Sequence, residues 1–560
     1  MSVRNAIVLL LALSTLSLLV GCGSSTSSPP PQAPPSGAFS NSNLSGTYVF
    51  SVAGSDQAGL PYAILGAFTA NGSGGNGKGG IVGGTIDIND ATFPGTSPVT
   101  APVIDASING NSFYTVGPDG RGQATLGTST PFGNIILDFV LTNSFHGLVT
   151  EFDANGTGSG TLDLQTTGLT QASLAGPYAF SFSGIDPSGG AILATVGAFT
   201  LSGTGTIQAG GIEDFNDAGN LVYPPAEPSG IVTLGPTSSP STSISTSSFE
   251  GLTFDVYAID STHLKFIEMD STPILSGDAF SQPSATIPQG TMAFTMAGSE
   301  VAIGGFMVTD GAGGITTGSN EDVNDAGEVS SPSSPIPFTA TYTSTGSGRF
   351  TLNNFSAGLW GGAAPAFAAY PSSGGVLMLE IDSAGLLTGA AYPPQTPGAT
   401  FAASQGYGLN LSGVNIADGV EVDDIAEFSI ASGTSTCGPN GSTLCGLIDE
   451  NYTDAITAQF SGQALDGTFS GPDASGRYAL GATSGSDNTA GTLNGGFGLT
   501  YYTVDGTTFP FIENDSGQVA TGVIVLQNAA ATSPEAVASS HMFVVRPLVK
   551  PHAAKQLKQK

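Results

Sequence analysis

The stretch "GAFTANGSGGNGKGGIVGGTIDIND" runs from Gly66 to Asp90, and its reading decides the fold. Gly72, Gly74 and Gly77 spell G-x-G-x-x-G, and Gly72 with Gly77-Lys78 approaches a phosphate-binding loop. Two later stretches repeat the layout without the lysine or its spacing: "GAFTLSGTGTIQAGGIEDFNDAG" (Gly197 to Gly219) and "GGFMVTDGAGGITTGSNEDVNDAG" (Gly304 to Gly327). In the first copy Gly79 stands where a Ser or Thr would hold magnesium. A strand rather than a helix follows, so no helix N-terminus meets a phosphate. The stretch reads as strand, glycine turn, strand. A fourth copy widens the turn into "ASGTSTCGPNGSTLCG" (Ala431 to Gly446).

Each hairpin is preceded by another recurring element: "LSGTYVFSV" at Leu44, "LAGPYAFSF" at Leu174, "PQGTMAFTM" at Pro288 and "SQGYGLNLSG" at Ser404. Large apolar residues alternate with small ones (Tyr48, Phe50, Val52; Tyr178, Phe180, Phe182; Met292, Phe294, Met296; Tyr407, Leu409, Leu411). A period of two marks a strand with one buried face. Downstream come "GPDGRGQATLG", "TGSGRFTLN" and "DASGRYALG", with "PSGIVTLG" in copy two. Next comes an acidic pair in "LVTEFDANG", "FIEMDSTP", "MLEIDSAG" and "FIENDSGQ", then a closing strand such as "GTLDLQ" or "GVIVLQN". This gives about eight short strands per repeat, joined by hairpin-sized turns. The expectation is an all-β chain of four antiparallel meander domains at 44–168, 174–286, 287–398 and 402–530. Eight-stranded up-and-down β-barrels are the expected form and β-sandwiches the alternative. With 81 Gly and many Ser and Thr among 560 residues, long helices are not expected.

Residues 1–21 have the layout of a secretory signal: Arg4, then the apolar "AIVLLLALSTLSLLV" (Ala6 to Val20). The following "LVGC" resembles a bacterial lipobox. That resemblance implies cleavage before Cys22, lipid on its sulfur, an acylated amine and, with Gly23 next, passage to the outer membrane. Residues 22–43 then form a Ser/Pro-rich tether. Cys437 and Cys445 remain as an even pair in an exported chain, which reads as a disulfide. The net charge is −32, and all 43 acidic residues lie between Asp56 and Glu535. The body keeps only Lys78, Arg121, Lys265, Arg349 and Arg477 as basic residues, so it repels nucleic acid and anionic lipid. The segment 531–560 ends in a basic tail, read as a solvated terminus or as a dock onto the acidic repeats or anionic envelope polymers.

The repeated units resemble a group of uncharacterised lipoproteins abundant in acidobacterial genomes. Those carry F-T-A-D-G-x-G-x-I-x-x-G-x-x-D-x-N, then G-R-G-x-x-x-L, then E-x-D. The resemblance covers residues 44 to about 530. It implies a cell-envelope location, periplasmic or surface-exposed, and brings no activity with it.

Two motifs are candidates for chemistry. D-x-N recurs at Asp87-Asn89, Asp214-Asn216, Asp322-Asn324 and Asp449-Asn451, followed by Asp90, Asp217 and Asp325 in three copies. Their oxygens suggest calcium, the one cofactor considered, although Ala91, Ala218 and Ala326 break the calcium-loop pattern. An Asx-turn ending the strand is the simpler reading. E-x-D recurs at Glu151-Asp153, Glu268-Asp270, Glu380-Asp382 and Glu513-Asp515. The aspartates look like turn starters. The glutamates are expected to pair with arginine: Glu151 with Arg121, Glu380 with Arg349 and Glu513 with Arg477, Ile231 replacing the arginine in copy two. His146, His263, His541 and His552 accompany no nucleophile motif. No catalytic residues are assigned. The expected function is a non-catalytic envelope lipoprotein held to the membrane through Cys22, displaying four β-domains as a binding or structural module. Its partner (envelope polymer, protein or small ligand) is open. A carrier of small hydrophobic ligands is the alternative, and a hydrolase using a Glu/Asp pair is the second.

Overall fold

The computed structural model describes residues 39–531, less 75–76, 92–101, 188–190, 223–224, 235–240, 246–251, 271, 331–334, 357–364, 397–398, 433–434, 438–440, 453–457, 474–475 and 485–496. Cys22, its signal, residues 22–38 of the expected tether and the basic tail lie outside the described residues, whereas Phe39, 4% exposed, and Asn41–Asn43 belong to the first barrel rather than to a tether. The rest belongs to one compact unit.

The described chain is built of antiparallel strands, with two one-turn 3-10 segments at Asn41–Asn43 and Gln171–Leu174. In repeat 1 eight strands close into a barrel: Ser45–Asp56, Pro61–Asn71, Gly79–Asp90, Phe113–Val116, Arg121–Gly127, Asn134–Leu141, His146–Glu151 and Gly156–Leu164. A further strand, Val103–Ile108, pairs along the third. Repeat 3 closes eight strands between Gly290 and Pro394, and repeat 4 closes eight between Gly406 and Leu526. The barrel expectation holds for these three.

Repeat 2 is an open nine-stranded sheet between Gly176 and Ser281. Its two flanks are tied by isolated bridges, Leu201 to Ile207 and Thr206 to Ile231. Repeat 3 makes the corresponding ties with a two-residue strand, Thr309 to Ile315 and Gly314 to Thr341. Ile231 therefore corresponds to Thr341 and not to the arginine. The register Ser241↔Tyr257, set beside Arg477↔Tyr502, shows that Ser241 stands in the arginine's place.

Residues 66–90 form the hairpin read from the sequence, pairing from Tyr62↔Asp90 to Ala70↔Ile81. The Asn71 side chain caps its turn, accepting from the Ser73 and Gly80 amides at 3.0 Å each. Gly77, at φ +79°, takes the left-handed conformation there. Lys78 lies over the Phe113 ring at 3.5 Å rather than facing a phosphate cradle.

The alternation puts one side-chain face of each strand in a lumen. Tyr48, Phe50 and Val52 fill repeat 1 with Ile86 and Ile88, and Phe180, Phe182, Phe254 and Phe266 fill repeat 2. Met292, Phe294 and Met378 fill repeat 3, and Tyr407, Phe428, Phe509 and Phe511 fill repeat 4. An eight-stranded barrel is just wide enough for such packing. The cavity beside Phe294, Met307 and Glu321 measures about 20 Å³, room for roughly one water.

Candidate functional site: the seams between repeats

The other strand face is also buried, because each repeat packs on the next. Val49, Ala63 and Leu65 of repeat 1 meet Tyr257, Ile267 and Ile274 of repeat 2. Ala194 and Val196 of repeat 2 meet Tyr370 and Leu377 of repeat 3. Phe306 of repeat 3 meets Tyr502 of repeat 4, and Ile425 and Val523 of repeat 4 meet Val140 and Leu148 of repeat 1. The contacts thus run 1 to 2 to 3 to 4 and back to 1. A head-to-tail interface generates a ring when its rotation closes, and here it closes after four.

The D-x-N asparagines sit at these seams. The Asn89 amide donates to the Glu268 and Asp270 carbonyls of repeat 2 at 2.9 and 3.1 Å. Asn216 donates to the Glu380 and Gly385 carbonyls, both at 2.9 Å. Asn324 reaches the Glu513, Asp515 and Gln518 carbonyls at 3.0, 3.0 and 2.8 Å. Asn451 completes the cycle on the Glu151 and Gly156 carbonyls of repeat 1, at 2.7 and 3.0 Å. In repeats 2 and 3 the same side chain also caps its own turn, accepting from the Gly219 and Gly327 amides at 2.7 and 3.1 Å. Ala218 and Ala326 are left-handed in these turns, at φ +45° and +49°. Each D-x-N asparagine therefore acts as a cross-seam donor, and those of repeats 2 and 3 also form an Asx-turn.

The aspartates two residues earlier share that outward face. Asp214 accepts from Arg349 Nε at 2.6 Å, its terminal nitrogen at 2.7 Å and the Tyr370 hydroxyl at 2.5 Å. Asp322 accepts from Arg477 and, at 2.9 Å, from the Tyr502 hydroxyl. Asp449 accepts from Arg121 at 2.7 Å; Val140 stands opposite Arg121, where the other repeats carry the tyrosine. Asp87 accepts from the Tyr257 hydroxyl and the Asp105 amide, both at 2.6 Å, with Ser241 in the arginine's place. Burial, with Asp255 and Asp105 nearby, pushes the Asp87 carboxyl up to about 7.

The expected pairs of Arg121 with Glu151, Arg349 with Glu380 and Arg477 with Glu513 do not form. The arginines point outward to the preceding repeat, while the glutamates point into the lumen beside Val149, Met378 and Phe511. Strand alternation places them on opposite faces. Glu151 receives the Tyr62 hydroxyl, and Glu268 accepts from Asn89 at 2.8 Å. Burial raises all four glutamates: Glu268 to about 9, Glu380 to about 8, and Glu151 and Glu513 well above the carboxylate range. The E-x-D aspartates start turns and hold a neighbouring strand; Asp382 accepts the Ala366 and Ala384 amides at 2.8 Å each.

The calcium set is not brought together. Asp87 and Asn89 face the next repeat, whereas Asp90 follows Ile86 and Ile88 onto the lumen face, and Asp217 and Asp325 occupy the same step in their strands. Among the described residues, no group of three or more His, Cys, Asp or Glu is arranged to hold a metal ion. Cys437 and Cys445 are bonded, with Cα atoms 6.0 Å apart, across the widened turn of repeat 4.

One recurring seam residue escaped the sequence reading. A glutamine ends every closing strand and crosses to the next repeat. Gln165 donates to the Ala258 carbonyl at 2.7 Å, Gln282 to Pro371 at 2.9 Å and Gln527 to Leu141 at 3.0 Å, while Gln395 reaches the Thr503 hydroxyl. The next amide follows in three repeats: Thr166 to Ile259, Thr396 to Val504 and Asn528 to Thr142, at 2.8, 2.8 and 2.6 Å. In repeat 2 that position is Pro283, which has no N–H to give. The signal was present in the final Gln of "GTLDLQ" and "GVIVLQN".

The asparagine contacts predict a stability effect. Asn324→Ala strands three buried carbonyls, so urea unfolding is expected to show a loss of roughly 2–4 kcal/mol, given about 1–3 for each buried group left unpaired. A change within about 0.5 kcal/mol would remove the seam role.

No protein-family model matches the chain, and no curated protein matches it in sequence. Among solved structures it is similar to the isotype 1 transferrin binding protein B of serogroup B Neisseria meningitidis: 12% identity, 69% of this chain and 83% of that one, TM-score 0.20. A mutant transferrin binding protein B of Haemophilus parasuis gives 8% identity over 73% and 86%, TM-score 0.18. At such TM-scores the likeness carries no argument.

Proposed function

We propose that the chain is a non-catalytic, lipid-anchored envelope protein whose four repeats form a rigid platform for binding or structural support. The observation that carries this reading is the use made of the recurring polar residues. Asparagine, aspartate, arginine, tyrosine and glutamine of the repeated motifs all hold repeat to repeat. Sequence recurrence of this kind looks like repeated chemistry, yet here its product is a frame. The E-x-D glutamates are at most 2% exposed, and Glu268 is held by Asn89 across the seam. A lumen cavity of about 20 Å³ also disfavours the carrier alternative in repeat 3.

Anchoring rests on the lipobox resemblance alone. Wild-type chain expressed in a diderm host is expected to incorporate labelled palmitate and fractionate with membranes. Cys22→Ala should lose both; label retained in that variant would end the anchor. Non-catalysis is tested by screening purified protein against glycan, peptide and ester substrates. Turnover abolished by Glu268→Gln or Glu380→Gln would overturn the reading.

A further inference from the structure

Three seams join repeats that are consecutive in the chain, while the seam between repeats 4 and 1 joins its two ends. At a position common to all four, that seam also differs in chemistry. The registers Tyr48↔Phe68, Tyr178↔Phe199, Met292↔Met307 and Tyr407↔Phe428 align Asp423 with Ala63, Ala194 and Ala302. Each of these alanines shares an apolar cluster with an aliphatic side chain of the next repeat: Ala63 with Ile274, Ala194 with Leu386 and Ala302 with Val519. The closing strands, aligned in the same way, put Thr157 at that aliphatic position in the fourth seam.

Asp423 is fully buried and accepts from the Thr157 hydroxyl at 3.0 Å and the Ser159 hydroxyl at 2.7 Å, both of repeat 1. Glu427, also buried, stands where the other repeats have Ala67, Ala198 and Phe306, and its Oε1 has no hydrogen-bond partner among the described residues. Asp138 of repeat 1 is buried against the same seam and accepts from Gln123 at 2.8 Å. The arginine of this seam, Arg121, is held by Asp449. A carboxylate buried at an interface loses hydration that hydroxyls replace only in part, whereas a protonated carboxyl has no full charge to desolvate.

We propose that the seam between repeats 4 and 1 is the joint at which the ring opens, shut while Asp423, Glu427 and Asp138 carry protons and loosened as they ionise. Parting the two faces returns water to the three carboxyls, so closure takes up protons. Asp423 faces Thr157 and Ser159 of repeat 1, Ser412 of the neighbouring strand, the Tyr62 hydroxyl, and Glu421 and Asp424 of its own strand. Glu421 itself accepts from the Ser55 hydroxyl of repeat 1. Glu427 faces Asp119 and Arg121, and Asp138 faces Asp449, Arg121 and Gln123. Burial holds Asp423 above the usual carboxylate range although hydroxyls donate to it. Burial, with Asp119 nearby, takes Glu427 up to about 8, and burial with Asp449 takes Asp138 up to about 7, Arg121 opposing both. Groups raised in the closed form favour closure fully below their ordinary values, and that preference is lost as pH rises through the raised ones.

Native-state hydrogen exchange of the full chain tests this. The joint is read through the Asn528 amide, bonded across it to Thr142 at 2.6 Å, against the Ser373 amide, bonded to Ser281 at 2.8 Å across the seam of repeats 2 and 3. Corrected for intrinsic exchange, Asn528 protection should fall relative to Ser373 by about tenfold or more from pH 5.5 to 6.5, the factor for one proton taken up on closure. Parallel behaviour of the two amides overturns the proposal. Asp423→Asn, Glu427→Gln and Asp138→Asn combined keep the shape of the protonated groups without their titration. This variant should abolish the relative fall and hold Asn528 protected at pH 7.5; a fall that persists overturns the proposal. If the variant fails to fold, Asp423→Ala, Thr157→Val, Glu427→Ala and Asp138→Ala together install an apolar joint like those of the other seams. That chain should show the same flat profile, and a wild-type slope in it also overturns the proposal.

Discussion

Arg349→Ala is expected to destabilise the folded chain by about 3–5 kcal/mol, the range for breaking a buried ion pair from one side. Arg349 and Asp214 are 9% and 4% exposed, and the guanidinium grips the carboxylate with two nitrogens. The same group donates to Thr345 and Thr351 at 3.1 and 2.9 Å. Truncation leaves Asp214 charged, buried and dependent on Tyr370 alone. The seam between repeats 2 and 3 should open first, visible as early exchange of amides around Asn216. A triple change, Arg349→Met with Asp214→Leu and Tyr370→Phe, should recover most of the loss, since an apolar trio has no charge to strand. Denaturant unfolding decides the matter. A loss below about 1 kcal/mol would mean that the pair behaves as a surface salt bridge.

The second large effect is a fall in stability as pH rises through neutrality. Burial raises Glu268 to about 9 and Glu321, Glu380 and Glu427 to about 8, from an ordinary 4.5. Between the ordinary value and the raised one, the folded chain holds a proton that the unfolded chain has released. Stability therefore declines with increasing pH across roughly 4.5 to 9. One such group acting over two pH units removes ~3 kcal/mol. The melting temperature should be several degrees higher at pH 5.5 than at 8.5. Asp163, whose carboxyl is held low, has the opposite sign, but its contribution is lost only in stronger acid, outside this window. Glu321→Gln should flatten the slope. A melting temperature that is constant or rises over the interval would contradict the assignment of protonated glutamates.

Within a repeat, much was legible from the sequence because strands obey a period of two. Tyr48, Phe50 and Val52 could be assigned to one face, and the glycine-rich stretch after Phe68 could be recognised as a turn. Across strands the same rule needs the register, which a linear sequence does not display. Arg349 and Glu380 match by charge, yet alternation puts one outside the barrel and the other inside it. Asp87 and Asp90 are close in sequence, yet three residues along a strand means opposite faces. The partner of Asn89 lies 179 residues away, and nothing local in a D-x-N motif names it. The Ser241 equivalence was hidden by a longer connection in repeat 2, where "SGIVTLG" mimics the arginine strand of its neighbours.

A linear array of similar domains has a first and a last member, each with one docking face left over. Solenoid proteins meet this with specialised terminal repeats that present a polar outer surface. In this chain the face that repeat 4 would leave over is met by repeat 1. Four repeats therefore share four interfaces instead of three, and no repeat has to differ from its neighbours to be soluble at an end. Adding or deleting one repeat, a common change in linear arrays, would leave a gap or an overlap that the rotation per repeat cannot absorb. The number four is thus fixed by the angle of the seam rather than by the length of whatever the protein spans.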